Sequence, residues 1–194
     1  LDSFRDTSRM RLAVCLQRTA DWLALCLWLK DRGASVLPIH PGTPRHAARA
    51  LALDTGCNLL LFGDGLDSAL PETINDTPAP GVTGGELIQL SSGTTGKPKT
   101  IARSWRDIDL EVNAYVTQFI EARGLTPVVA CPVTHSYGLI CGVLASLARG
   151  AQPNVVTSLN PRFLLAQLKS VPDHLLYASP TLVNLLIQML PATE

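Results

Sequence analysis

Residues 91–100 carry the chain's densest set of phosphate-binding groups, in the order Ser-Ser-Gly-Thr-Thr-Gly-Lys-Pro-Lys-Thr. Glycines let backbone N–H groups turn toward a ligand and approach it closely. The Ser and Thr hydroxyls add neutral donors, and Lys97 or Lys99 adds positive charge. The apolar run at 87–90 just before this segment is typical of a strand. We therefore expect a strand that leads into a loop able to wrap a polyphosphate.

This loop differs from a Walker A loop at two positions. The Walker motif requires Gly-x-x-x-x-Gly-Lys-Ser/Thr. Ser91 stands where the first glycine belongs, and Pro98 takes the place of the hydroxyl residue that would bind Mg²⁺. The Walker interpretation is therefore excluded.

The remainder of the chain predicts the elements that would position the loop. Strand-like and helix-like segments alternate from residue 10 to 62 and again from 86 to 189. Ser104, with Asp107 three residues later, predicts a capped helix start. Three further helices are predicted to begin at a capping residue followed by proline, at Thr43-Pro44, Asn160-Pro161 and Ser179-Pro180. The expected fold class is α/β, with mainly parallel sheets flanked by helices.

Residues 63–85 contain eight Gly or Pro residues in twenty-three positions, which predicts a loop between two halves. The expected division is a first β-α-β-α-β subdomain at 1–62, a linker at 63–85, and a second subdomain at 86–194 that carries the phosphate loop.

Charge and cysteine usage narrow the range of partners and compartments. The formal net charge is zero, which argues against nucleic acid or an anionic membrane as a general partner. The stretch 125–148 lacks Asp, Glu, Lys and Arg, but Pro132, Gly138 and Gly142 interrupt it. It predicts a strand, a turn and a buried helix rather than a membrane span. The five cysteines form no Cys-x-x-Cys pair, which predicts free thiols in the reducing cytoplasm.

Segment 91–100 closely resembles the phosphate loop of the adenylate-forming superfamily, Thr/Ser-Ser-Gly-Thr-Thr-Gly-x-Pro-Lys-Gly. Nine of the ten positions fit, and Thr100 replaces the final glycine. This family includes acyl-CoA synthetases, luciferases and the adenylation domains of peptide synthetases. The resemblance implies that Lys99 offsets charge on departing pyrophosphate. It also implies that the β- and γ-phosphates of ATP are held by Ser91, Ser92, Gly93, Thr94, Thr95 and Gly96.

A second motif, Cys-Pro-Val-Thr-His-Ser-Tyr-Gly-Leu at 131–139, resembles the family's Pro-x-x-His-x-x-Gly. In acyl- and aryl-acid ligases that histidine lies beside the carboxylate pocket, which implies the same role for His135. Amino-acid-activating relatives carry an Asp in this region, whereas no Asp or Glu occurs here between Glu121 and Asp173. A buried ammonium without a counter-charge is costly, which favours an aromatic or fatty acid.

The resemblance implies a two-step reaction. A carboxylate attacks the α-phosphate of ATP to form an acyl-adenylate, and the acyl group then passes to the thiol of CoA or of an acyl carrier protein. The matching motifs belong to the N-terminal part of the family's large lobe. The family's later motifs, including the one that helps hold adenine and Mg²⁺, do not occur in this sequence.

We therefore expect a fragment of an AMP-forming acid–thiol ligase, with no metal site of its own and no turnover alone. Two alternatives remain open at this point. One is an amino-acid adenylation domain of a peptide synthetase, and the other is a non-catalytic nucleotide-binding or scaffold lobe.

Overall fold

The computed structural model describes residues 7, 9–76, 83–91, 99–158 and 160–190. The strands of this part are β1 (Arg11–Leu16), β2 (Ser35–Pro38), β3 (Leu59–Gly63), β4 (Pro71–Thr73), β5 (Glu86–Ser91), β6 (Lys99–Ser104), β7 (Thr126–Ala130), β8 (Asn154–Val155) and β9 (His174–Ala178). The α-helices are α1 (Thr19–Asp31), α2 (Arg45–Asp54), α3 (Trp105–Gln118), α4 (Ala145–Ala148), α5 (Pro161–Ser170) and α6 (Pro180–Met189). A 3-10 helix (Ile120–Ala122) follows α3, and a π-helix (Tyr137–Leu144) leads into α4. The chain divides into two compact units, of which the first ends at Asp109 and the second begins at Leu110.

The first unit is built on a six-stranded sheet in the order β4-β3-β1-β2-β5-β6. The four inner strands are parallel, and β4 and β6 are antiparallel edge strands. Central β1 is buried at every position after Arg11, as a parallel strand covered on both faces requires. The α/β fold class with a mainly parallel sheet is thereby confirmed.

Helices α1 and α2 bury apolar faces against this sheet. In α1 the buried side chains recur at helical spacing, at Trp22, Leu25, Cys26 and Leu29, and the helix ends before Gly33, whose φ is 66°. Helix α2 contributes Ala48 and Ala52 to a core cluster on the sheet. The other buried members of that cluster are Ala13, Cys15, Leu37, Ile39, Cys57, Leu60 and Ile88.

The division between the halves differs from the predicted one. Residues 63–85 contain β4, which pairs with β3 inside the first unit. Strand β5 also joins the first sheet, because Val36 of β2 pairs with Leu87. The boundary between the compact units lies within α3 instead. Order along the chain does not reveal this, since a parallel strand can pair with one far earlier in the sequence.

The second unit has a parallel three-stranded sheet in the order β8-β7-β9. Successive side chains of a strand point to opposite faces, so Val128 and Ala130 face one way and Val129 the other. Helices α5 and α6 cover the first face through Leu164, Leu168, Leu182 and Leu186. On the other face the π-helix lies against β7, since a Cβ on Gly142 would meet the Val129 side chain at 2.8 Å.

The predicted helix starts are confirmed at three of four places. The Ser104 hydroxyl accepts a hydrogen bond from the Asp107 N–H at 3.0 Å. Asn160 and Ser179 each cap a helix whose first residue is proline. At Thr43-Pro44 the prediction is one residue early, because Pro44 has an extended ψ of 147° and itself holds the cap position of α2.

The apolar stretch 125–148 forms β7, a turn, the π-helix and α4, which agrees with the prediction. Within the described ranges, no helix is both long and apolar enough to cross a membrane. All five cysteines are free thiols, with Cys15, Cys26 and Cys57 buried and Cys131 and Cys141 half-buried.

Candidate functional site

The β5–β6 hairpin fixes both ends of the predicted phosphate loop. Ser91, the last residue of β5, pairs directly with Lys99, the first residue of β6. The Ser91 hydroxyl also donates to the carbonyl oxygen of Lys99 at 3.4 Å. The five other predicted phosphate ligands, Ser92, Gly93, Thr94, Thr95 and Gly96, lie outside the described residues. The hairpin therefore closes a loop whose two anchoring residues are themselves candidate ligands.

This loop leaves the sheet at the carboxyl end of a parallel strand. Strand β5 runs parallel to β2, and Ser91 is its last residue. Ligands of open α/β sheets bind outside the carboxyl ends of the strands, because the loops there converge. The Lys99 side chain is exposed.

His135 lies in the second unit, in the turn after β7. Its backbone is held on both sides, since its N–H donates to the Pro132 carbonyl at 3.1 Å and its own carbonyl accepts from the Leu139 N–H at 2.9 Å. The residue is exposed. The structure therefore holds the backbone of His135 and leaves its imidazole accessible.

Gly138 explains the spacing of the Pro-x-x-His-x-x-Gly motif. A Cβ at this position would lie 2.3 Å from the Pro132 carbonyl oxygen. That distance is far below van der Waals contact, so only glycine fits while the turn keeps this shape. Pro132 and Gly138 therefore form the base of the turn that presents His135.

The helix after this turn is wider than the α-helix that periodicity predicts at 139–148. The Ala145 N–H donates to the Ile140 carbonyl, five residues earlier, which is the π-helical pattern. Short π-helical segments often occur beside functional sites. Hydrophobic spacing does not distinguish an i+5 from an i+4 hydrogen bond, so the π-helix could not be predicted from the sequence.

The loop after β9 leaves the three-stranded sheet at the same edge as the turn that contains His135. Ala130 at the end of β7 pairs with Ala178 at the end of β9, and Ser179 follows directly. The chain after β7 passes to the π-helix on one face, whereas the chain after β9 passes to α6 on the other. Ligands of parallel sheets usually bind beyond the carboxyl ends of the strands, where the chain diverges to opposite faces in this way.

Side chains near the His135 turn are predominantly uncharged. Burial raises the pKa of the Cys131 thiol to about 11. Burial also raises the pKa of Tyr137, whose ring packs edge-on against Tyr177 with centroids 5.9 Å apart. The Tyr137–Tyr177 contact could not be predicted from the sequence, because the two residues lie far apart in the chain.

The described residues contain no group of three or more His, Cys, Asp or Glu side chains placed to hold a metal ion. Ser91 and Lys99 lie together at the hairpin of the first unit, and His135 lies in the second. The first unit therefore carries candidate anion donors, and the second unit separately carries an exposed histidine.

Comparison with known proteins agrees with these features. The AMP-binding enzyme family matches residues 75–194, which is more than half of the chain. The 3,4-dihydroxybenzoate–[aryl-carrier protein] ligase of Bacillus anthracis is 35% identical over 189 residues, a match that covers 96% of this chain and 44% of the relative. An acyl-CoA ligase of Alternaria alternata is 32% identical over 100 residues, covering 50% of this chain and 17% of that protein. The chain thus spans less than half the length of these relatives.

Solved structures share the fold at lower identity. The o-succinylbenzoate CoA synthetase of Bacillus subtilis superposes with a TM-score of 0.74 at 16% identity, over 97% of this chain and 54% of that one. MbtA of Mycobacterium smegmatis gives a TM-score of 0.71 at 22% identity, over 96% of this chain and 42% of that one. The family match together with this shared fold shows that the chain belongs to the AMP-binding enzyme family of adenylate-forming enzymes.

Proposed function

We propose that this chain supplies the polyphosphate-binding loop and the carboxylate-side histidine of an ATP-dependent, AMP-forming acid–thiol ligase. The observation that carries the proposal is the β5–β6 hairpin, which anchors the Ser/Thr/Gly-rich loop between Ser91 and Lys99. The family match supports the same activity.

Lys99 is the proposed catalytic cation. Its backbone is fixed by pairing with Ser91, while its side chain is exposed beside the loop. Charge accumulates on pyrophosphate as the bond to the α-phosphate breaks. A positioned ammonium lowers the free energy of that transition state more than that of the bound substrate.

The donor set suits a polyphosphate. The loop combines hydroxyls, glycine N–H groups and an ammonium, which are the groups that bind phosphate oxygens in proteins. ATP supplies the α-phosphoryl group that the carboxylate attacks. One structure of the o-succinylbenzoate CoA synthetase was determined with ATP and magnesium ion. The described residues contain no metal-ligand cluster, and we assign no Mg²⁺ ligand among them.

His135 is proposed to contact the carboxylic acid. A histidine N–H can donate to a carboxylate and release it once the carboxylate is consumed. The hydrogen bonds to Pro132 and Leu139 hold the backbone of the turn, which limits the entropy lost when the ring meets a ligand.

The proposed substrate is an acid without an α-amino group. No Asp or Glu occurs between Glu121 and Asp173, and burial further suppresses ionisation of Cys131 and Tyr137. This part of the chain therefore offers no counter-charge to an ammonium. The Bacillus anthracis relative is named for an aromatic acid and an aryl-carrier protein. We therefore propose an aromatic acid first and a fatty acid second, with a carrier-protein thiol or CoA as acceptor.

Carboxylate-dependent ATP–pyrophosphate exchange by the full-length protein that contains this chain tests the proposal. The panel comprises hydroxybenzoates, medium-chain fatty acids and amino acids. We expect exchange with an aromatic or fatty acid. Exchange with amino acids alone would instead indicate a peptide-synthetase adenylation domain. A folded, ATP-binding protein that exchanges with no acid would refute the ligase assignment.

A further inference from the structure

Arg149, directly after α4, has an unusual set of partners. One of its terminal nitrogens, Nη1, donates to the Tyr177 hydroxyl at 3.0 Å. The guanidinium carbon lies 5.1 Å from the centroid of the Tyr115 ring. These two contacts orient the plane of the guanidinium group.

The guanidinium also interacts with the Tyr115 hydroxyl, yet its Nε–Nη2 edge makes no hydrogen bond of normal geometry. Both Nε and Nη2 are buried, and neither finds a hydrogen-bond partner among the described residues. Buried polar groups are nearly always hydrogen-bonded, and a buried charge without a counter-charge is costly. Nε and Nη2 form the side-on fork with which arginine binds a carboxylate through two parallel hydrogen bonds.

Arg149 also lines a cleft with a positive charge balance. The cleft has a volume of about 880 Å³, within the range of small-molecule sites. Its charged lining side chains are Arg123 and Arg149, and no Asp or Glu is among the residues that form it. The rest of the lining includes Thr126, Gln152 and Asn154, which can supply further hydrogen bonds.

This cleft lies at the opposite end of the sheet from His135. Thr126 and Asn154 are the first residues of β7 and β8, so the cleft opens at the amino edge. His135 and Ser179 follow the carboxyl ends of β7 and β9. A ligand in the cleft therefore does not compete with the proposed carboxylate position.

We propose that the cleft binds a carboxylate, with its two oxygens accepting hydrogen bonds from Nε and Nη2 of Arg149 and with Arg123 adding attraction. Nε and Nη2 are shielded from water in this arrangement, so binding requires the guanidinium to leave its contacts with Tyr177 and Tyr115 and to turn toward the cleft. The carboxylate belongs either to a free organic acid or to an Asp or Glu side chain of a protein segment. The recognition chemistry is the same for both sources.

NMR of the arginine Nε–H groups, with acetate as probe, tests the site. The Arg149 signal is identified by its loss in Arg149→Lys, and Arg162, exposed at the start of α5, is the matched control through Arg162→Lys. In the 194-residue chain we expect a saturable shift of the Arg149 signal with acetate and no shift for Arg162. Sodium chloride at equal ionic strength should not shift the Arg149 signal.

Two further comparisons distinguish a free acid from a protein carboxylate and control for misfolding of the variants. If the full-length protein already shows the shifted Arg149 signal and ignores acetate, a protein carboxylate fills the cleft. If the full-length protein responds to acetate as the 194-residue chain does, the ligand is a free acid. Arg123→Gln, which leaves Arg149 in place, should weaken acetate binding by up to about fivefold. An Arg149 signal that is unchanged by acetate and identical in both proteins would overturn the proposal, as would equal shifts at Arg149 and Arg162.

Discussion

Gly138 and Pro132 approach so closely that a Cβ on Gly138 would stand 2.3 Å from the Pro132 carbonyl oxygen. The same carbonyl accepts the hydrogen bond of the His135 N–H. One backbone oxygen thus both limits residue 138 to glycine and fixes the orientation of the proposed ligand-contacting residue. The turn is consequently sensitive to changes that leave His135 itself intact.

The first prediction concerns Gly138→Ala. The added methyl group must displace the Pro132 backbone, which we expect to destabilise the protein by about 1–3 kcal/mol and to raise the KM for the acid. Gly124→Ala is the control for acid binding, because alanine at its φ of 82° is strained and lowers stability, while its Cβ meets nothing within 4 Å and leaves the His135 turn unchanged. Urea unfolding and exchange kinetics measure both effects. If the two variants show the same KM for the acid, the proposed role of the turn is contradicted.

The second prediction concerns His135→Ala. Loss of the imidazole should raise the KM for the acid about tenfold, the value of one charged hydrogen bond, with little change in the KM for ATP. His46→Ala, an exposed histidine on α2, is the control and should leave both constants unchanged. A KM for the acid that equals that of the wild type would remove His135 from the substrate site.

The third prediction concerns alkaline stability. Burial raises the pKa of the Cys26 thiol from 9.0 to about 12, so the folded state holds this proton more tightly than the unfolded state. The stabilisation is complete below pH 9 and is lost as the pH rises toward 12.

Urea unfolding between pH 8 and pH 11 measures this loss. The free energy of unfolding should fall less steeply with pH in Cys26→Ala, which lacks the thiol. Between pH 8 and pH 11 the variant should lose about 2–3 kcal/mol less than the wild type. The cavity left by the substitution lowers stability equally at each pH. The test therefore compares only the slopes of the free energy of unfolding against pH. Parallel pH profiles for wild type and variant would show that Cys26 does not ionise on unfolding as proposed.

The sequence was most informative where local chemistry determines structure. Asn160 and Ser179, each followed by proline, marked helix starts correctly, because a capping side chain and a fixed proline φ act within one turn. Thr43-Pro44 has the same pattern, yet the helix begins at Arg45. Two adjacent residues can each take the cap position, and local preference does not choose between them.

Pairing between distant segments was not visible in the sequence. Strand β4 is a short edge strand of exposed and half-buried residues, Pro-Glu-Thr, with no apolar alternation to indicate it. Strand β6 likewise carries no apolar alternation that marks its bounds, and its residues from Lys99 to Ala102 are exposed. The partners of Arg149 come from α3 and β9, and no local pattern links them.

The phosphate loop could be proposed from the sequence alone, because its glycines, hydroxyls and lysine are contiguous. The structure adds the pairing of Ser91 with Lys99, which fixes the loop's two ends. The assignment of the ligands within the loop stays a prediction, since residues 92–98 lie outside the described part of the chain.

The central claim is that Lys99, fixed opposite Ser91, stabilises departing pyrophosphate. Carboxylate-dependent ATP–pyrophosphate exchange by the full-length protein tests it, with Lys99→Ala compared against wild type and against Lys169→Ala, an exposed lysine on α5. Lys99→Ala should lower the exchange rate about 10²–10³-fold with the KM for the acid unchanged, as loss of one transition-state donor does. Lys169→Ala should match the wild type. Equal exchange rates in Lys99→Ala and wild type would contradict the account.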